Sequence, residues 1–219
     1  MSWRYLWRVT ALHRSETKGD AGDLPPPLPQ EFTDERSKVL GDGAGRMYHR
    51  VFRVRIERSA MTPGELFDTL SVNVNKGSAT SVAVFHKTRG TKGEACPGDE
   101  FLVKMPGPWD GPIRLVRRDA TSLRFGTLHG HLEAGQIEFR AREDEDGLLV
   151  FEVEAWCRAG DRWADLLYGR LRVAKEIQFN MWVHFCLRVV TLTGGRTRGG
   201  VTIETRGIPE SACREAVGR

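Results

Sequence analysis

QIEFRAREDEDGLLVFEVEAWC, residues 136–157, holds two runs of alternating apolar and polar side chains on either side of an acidic break, Asp144 to Gly147. Successive side chains of a strand point to opposite faces, so Ile137, Phe139 and Ala141 share one face, as do Phe151, Val153, Ala155 and Cys157. Glu138, Arg140, Glu152, Glu154 and Trp156 fall on the other side. Two such runs around a turn that ends in glycine read as a β-hairpin with one buried face. Opposite charges facing each other across strands contribute about 0.2–1 kcal/mol a pair. The glutamates are therefore expected in a salt-bridged sheet face rather than in catalysis.

Toward the N-terminus the same pattern recurs in VAVFHK at 82–87, EFLVKM at 100–105, PIRLVRR at 112–118 and SLRFGTL at 122–128, with turn signals such as PGPWDG and RDAT between them. Connections this short join antiparallel neighbours, because parallel strands need long crossovers. A seventh strand is expected over Tyr48–Glu57, where Phe52, Val54 and Ile56 alternate with Arg53, Arg55 and Glu57. Thr62, Pro63 and Glu65 then supply a cap, a helix-starting proline and a capping box, predicting a short helix that ends near Asn73. Beyond the hairpin, Trp163, Leu166, Leu167, Leu171, Ala174, Ile177, Met181, Phe185 and Val189 recur at three- and four-residue steps, which predicts one long amphipathic helix from 161 to 192. Gly194-Gly195 stops it, and VTIET at 201–205 is expected as a short edge strand. The fold class expected is α+β: a curved seven-stranded antiparallel sheet wrapped on the C-terminal helix.

A chain of 219 residues, 40% of them hydrophobic, suits one core with extensions. Three divisions are expected: residues 1–46 as an extension marked by Pro25-Pro26-Pro27 and Pro29, residues 47–193 as the folded domain, and 194–219 as a tail. The 33 basic and 29 acidic residues are interleaved, with no basic stripe carrying stacking aromatics, so no nucleic-acid partner is expected. Arg4 and Arg8 interrupt the apolar residues of MSWRYLWRVT, so neither a signal peptide nor a membrane span is expected; a basic, Trp-bearing start touching a membrane surface is the less favoured reading. Cys96, Cys157, Cys186 and Cys213 form no CxxC pair and read as reduced thiols in the cytoplasm.

TLHGHLEAGQIEF, residues 127–139, places His129, His131 and Glu133 two residues apart. In one continuous strand they would share a face. Gly130 and Gly135 instead suggest a hairpin connection between a strand ending near Leu128 and one restarting near Gln136, in which case the three need not converge. No metal or other cofactor is expected. His131 and Glu133 would either brace the turn through backbone hydrogen bonds or stand at a cavity mouth as polar anchors.

The order of strand, short helix, meander and long helix resembles the START-like (SRPBCC, helix-grip) superfamily, which includes polyketide cyclases, plant pathogenesis-related proteins and lipid-transfer domains. More specifically, GDEFLVKMPGPWDGPIRLV, RFGTLHGHLEAGQIEF, FEVEAW and the helix bearing Gln178 resemble a family of actinobacterial and plant proteins labelled only as a domain of unknown function. Phe125, Gly126, Thr127, Leu128, Gly130, His131, Glu133, Gly135, Gln136 and Phe139 carry the motif, with Gln at 136 where the family is often acidic. The resemblance spans residues 46 to 205 and implies a fold and no established activity.

A sheet gripped by one helix often encloses a cavity, and sites of this class measure about 300–1,000 Å³. Phe139, Phe151, Val153, Ile177, Met181 and Phe185 are candidates for its lining, each of them read more readily as plain core, with Trp109 as a lid or a cover of the sheet edge and His131 and Glu133 as anchors. Two functions remain open: a non-catalytic binder of an apolar or lipid-like small molecule, and a cyclase- or isomerase-like enzyme with His129 or His131 as general base and Glu133 orienting it; an interaction protein whose Pro-rich arm meets a partner is a third, weaker reading. No P-loop, HExxH or GxGxxG motif supports nucleotide or zinc chemistry.

Overall fold

The structure is a computed structural model that describes residues 10–79, 81–105, 110–160 and 173–217, with backbone alone for 173–177 and 214–217. Nine strands form one sheet: β1 (Leu12–Lys18), β2 (Ala44–Glu57), β3 (Val84–Arg89), β4 (Glu100–Lys104), β5 (Asp110–Asp119), β6 (Ser122–Thr127), β7 (Glu133–Glu143), β8 (Leu149–Ala159) and β9 (Arg196–Ile208). Their spatial order is β1-β9-β2-β8-β7-β6-β5-β4-β3. Among the described residues three α-helices accompany them, α1 (Pro63–Val72), α2 (Val173–Leu192) and α3 (Glu210–Val217).

The hairpin read from residues 136–157 pairs β7 with β8 in the register Phe139↔Val153 and Ala141↔Phe151, which puts the apolar rows on the inner face together. On the outer face Glu152 accepts from Arg53 Nε and, at 2.6 Å, from Arg140 Nε, while Glu138 accepts from Arg124 Nη2 at 2.9 Å. The α1 cap forms as its residues dictate: the Thr62 hydroxyl accepts the Glu65 N–H at 3.3 Å and the Glu65 carboxylate accepts the Thr62 N–H at 2.8 Å.

Three expectations are corrected. The sheet has nine strands rather than seven, and it is not wholly antiparallel, because β1 pairs in parallel with β9. β1 lies inside the segment read as an extension; its sequence LHRSETK buries little beyond Leu12, so it carries no period-two signal. β9 is not a short edge strand. It has 13 residues and sits between β1 and β2. Gly199 and Gly200, at φ 80° and 86°, interrupt its alternation where its pairing with β2 shifts register. A Cβ on Gly200 would stand 2.1 Å from the Ala11 carbonyl oxygen, so close approach of the chain requires glycine there.

Of the helix expected over 161–192, residues 161–172 lie outside the described residues. α2 closes as predicted at Gly194, in the left-handed region at φ 68°. The Gly195 N–H donates to Val190 O at 3.2 Å and the Gly194 N–H to Thr191 O at 3.1 Å, which is the Schellman pattern. Trp182, Phe185 and Val189 turn inward from α2 and meet Phe52, Phe139 and Phe151 of the sheet in one buried cluster, which also takes in Leu66, Phe67 and Leu70 of α1.

The Pro-rich segment lies along the outer face. Gln136 Nε2 donates to Pro26 O at 2.7 Å, Arg114 Nη1 to Phe32 O at 3.0 Å, and Arg158 Nη1 to Leu40 O at 3.2 Å. Its Asp23 accepts from Arg206 Nη1 at 2.6 Å and stands 3.3 Å from His49 Nδ1, whose ring stacks on Trp156 with centroids 5.2 Å apart.

Candidate functional site

Where the β6–β7 connection meets α2, the sheet and helix leave a cavity of about 100 Å³. Phe85, Val103, Ile113, Phe125, Ile137, Met181 and Trp182 form most of its wall. Its polar groups are Thr127, His131, Glu133, Gln136, Cys157 and Gln178.

Local geometry explains why the loop presents His131 and Glu133. Gly130 at φ 98° turns the chain, and the His131 N–H closes the turn onto Leu128 O at 3.0 Å. The Glu133 N–H then donates to His131 Nδ1 at 2.9 Å. Gly135 brings β7 against β8 so closely that a Cβ would meet the Trp156 carbonyl oxygen at 1.9 Å. From outside, the arm clamps the same loop: the Lys38 N–H donates to Thr127 O at 2.9 Å, the His129 N–H to Arg36 O at 2.8 Å, and Lys38 Nζ to His131 O at 2.6 Å.

Behind Glu133 lies a buried polar set. Gln178 Nε2 donates to the two Glu133 carboxylate oxygens at 3.0 and 3.2 Å, and Gln178 Oε1 accepts from Arg50 Nη1. Arg50 is wholly buried, its guanidinium 4.6 Å from the Tyr48 ring centroid and 5.4 Å from that of Phe179, with Nη1 3.6 Å from Cys157 Sγ. Burial, reinforced by the Glu133 carboxylate, pushes the Cys157 thiol up to about 12, so it stays protonated. Burial holds the His131 imidazole below its ordinary value; the Lys38 charge acts in the same direction and the Glu133 carboxylate against it.

His131, Glu133 and Met181, all expected at the site, stand in the cavity wall. His129 is exposed on the loop and does not. Phe139, Phe151, Val153 and Phe185 do not line the cavity either: they pack in the core, Phe185 stacking on Phe139 and Phe151 with centroids 4.7 and 5.8 Å apart. Trp109 and the Ile177 side chain fall outside the described residues. The cavity is also smaller than the range expected from the sequence.

Sequence reasoning missed Arg50, Cys157 and Trp182 as parts of this end of the molecule. The signal for Arg50 was present, since it lies in phase with Phe52, Val54 and Ile56 and so had to point inward. Among the described residues, no three His, Cys, Asp or Glu side chains are grouped to hold a metal ion, and no helix is long and apolar enough to cross a membrane.

The family described as "Domain of unknown function (DUF1990)" matches residues 26–184, which include the whole His131–Glu133 motif. The chain belongs to this family. That agrees with the resemblance seen in the motif around Gly130 and His131. No curated protein matches this DUF1990 chain. Solved structures that are similar to it include a Thermobifida fusca protein determined by NMR, at 14% identity and TM-score 0.45, over 67% of this chain and 94% of that one. A ginseng major latex-like protein from Panax ginseng is similar at 11% identity and TM-score 0.45, over 67% and 98%, and a hypothetical protein from Helicobacter pylori at 8% and 0.46, over 78% and 96%.

Proposed function

We propose that this DUF1990 protein binds a small, mostly apolar molecule in the cavity between α2 and the sheet, with the ligand's polar end set against His131 and Glu133. The observation that carries the reading is the segregation of the wall, apolar over most of its extent and polar on the side of the β6–β7 loop. Apolar surface gives affinity and a few fixed polar groups give orientation. At about 100 Å³ the space suits a ligand portion no larger than a single ring rather than a whole lipid chain, since an engineered apolar cavity of about 150 Å³ takes one benzene. Native mass spectrometry of the protein purified from its own host is expected to show a retained small molecule that denaturation releases. An unliganded mass, together with no thermal shift from any small cyclic probe, would sink the reading.

An enzyme using His131 as general base is the second reading, favoured by the place of this residue in the wall and by the burial that keeps its imidazole neutral near pH 7. The Glu133 N–H on Nδ1 works against it: a neutral ring that accepts there holds its proton on Nε2, and so offers a donor rather than a base.

A further inference from the structure

We infer that the ligand portion seated in this cavity is an uncharged, ring-sized group bearing one hydrogen-bond acceptor, gripped by the Nε2–H of His131. The inference deepens the binding function proposed above and rests on it.

The first step is the tautomer. Nδ1 lies 2.9 Å from the Glu133 N–H and 3.2 Å from the Glu133 carbonyl oxygen; a backbone amide always carries its hydrogen and the shorter contact is the amide's, which favours Nδ1 as acceptor and the proton of the neutral ring on Nε2. The second is position. Nε2 lies over the bare backbone of Gly111 on β5, where a Cβ would come within 2.9 Å of it. Gly111 pairs with Val103, itself a wall residue. The third is that Nε2 makes no hydrogen bond to any described residue, whereas Nδ1, the main-chain N–H and the main-chain carbonyl of His131 are all engaged. His131 is only half-buried, so an Nε2–H beside an apolar wall is open to an acceptor supplied by a bound molecule in place of water.

Charge on the ligand is excluded by how the ionic groups are used. Glu133 is held by Gln178, Arg50 by Gln178 and two aromatic rings, and Lys38 by the His131 carbonyl. The Glu133 carboxylate and the Arg50 guanidinium, bridged by the neutral Gln178 amide, offset each other, so a charged ligand would enter an apolar space with no surplus counter-charge beside it. A carbonyl, an ether or a ring nitrogen meets the requirement.

The test uses the full chain and two probes of one size, cyclopentanone and cyclopentane, titrated into the wild type and His131→Phe, with a long-range ¹H–¹⁵N spectrum of the imidazoles. Expected is an Nε2–H tautomer for His131, an Nε2–H resonance that moves with cyclopentanone and not with cyclopentane, and a tenfold or greater loss of cyclopentanone affinity in His131→Phe with cyclopentane unchanged. A proton on Nδ1, or equal losses for the two probes, overturns the inference while leaving the cavity as a binding site. If neither probe binds the wild type, the binding function itself falls and the inference with it. Should His131→Phe fail to fold, the tautomer and the Nε2–H shift in the wild type decide the matter alone.

Discussion

Toward the C-terminal end of α2, Phe185 stacks against Phe139 of β7 and Phe151 of β8, and the space between helix and sheet is filled. About two helical turns toward the N-terminus, the same helix and the same two strands present Gln178, Glu133 and Cys157, with Arg50 of β2 behind them and a cavity beside them. Glu133 and Phe139 are six residues apart on one strand, about 20 Å of extended chain. Both regions are buried, but by different means. Apolar rings gain by leaving water, whereas the polar set is tolerated only because its members hydrogen-bond one another. The aromatic end should therefore govern stability and the polar end should govern recognition, and substitutions can separate the two.

The largest effect is expected at the aromatic end. Phe185→Ala removes a fully buried ring that touches both strands, and it should cost about 3–5 kcal/mol by denaturant titration. Binding of any retained ligand should persist in whatever fraction stays folded. A loss under about 1 kcal/mol would break the comparison, since it would mean that the ring borders open space. Next comes the polar end. Gln178→Leu keeps the volume but removes both the amide N–H that Glu133 accepts and the carbonyl that Arg50 uses, so a cost of about 1–3 kcal/mol is expected from the groups left unmatched. Here the ligand should be lost as well. If stability fell and affinity held, the polar set would be bracing alone.

How much of this was legible in the sequence differs between the same two regions. The aromatic end was readable because Phe139, Phe151 and Phe185 obey simple periods on a strand pair and a helix. Whether they line a cavity or fill a core stayed open between the two readings, because how completely a core fills is not encoded in periodicity. β1 was illegible because a mostly exposed edge strand has no apolar row, and β9 was shortened because Gly199-Gly200 broke its alternation. At the polar end the loop position of His131 and Glu133 was readable from the flanking glycines. The Glu133–Gln178–Arg50 chain was not: its members are 45 and 128 residues apart in sequence, and only the fold brings them together.

The arm offers a smaller and sharper test. Replacing Lys38 by Met keeps its stem but deletes the ammonium that donates to the His131 carbonyl, and a stability loss of about 1–2 kcal/mol is expected because a carbonyl of the turn loses its charged donor. Thermal melts at constant pH 7.5 would measure it. The aromatic end lies out of reach of this change, so combining Lys38→Met with Phe185→Ala should give additive losses within about 0.5 kcal/mol. A large departure from additivity would show that the two ends are not independent.

The smallest effect is the pH dependence contributed by His131, and its sign follows from the direction of its shift. Burial lowers the folded pKa beneath the unfolded value of 6.5, so between those two values the unfolded chain holds more protons than the folded one. Stability should then be fully present above pH 6.5 and should decline as the pH falls through that window toward the folded value. Because other histidines titrate in the same range, the quantity to follow is the difference between the wild type and His131→Phe, measured by denaturant midpoints from pH 7.5 down to 5. That difference should narrow on acidification, as the wild type alone pays to keep an imidazole neutral. Lys38 supplies an internal control. Its positive charge helps to depress the His131 value, so in Lys38→Met the decline should still begin at pH 6.5 but end at a higher pH and cost less stability. An acid edge identical in wild type and Lys38→Met would mean that burial alone sets the shift, and that the arm touches the loop without tuning its histidine.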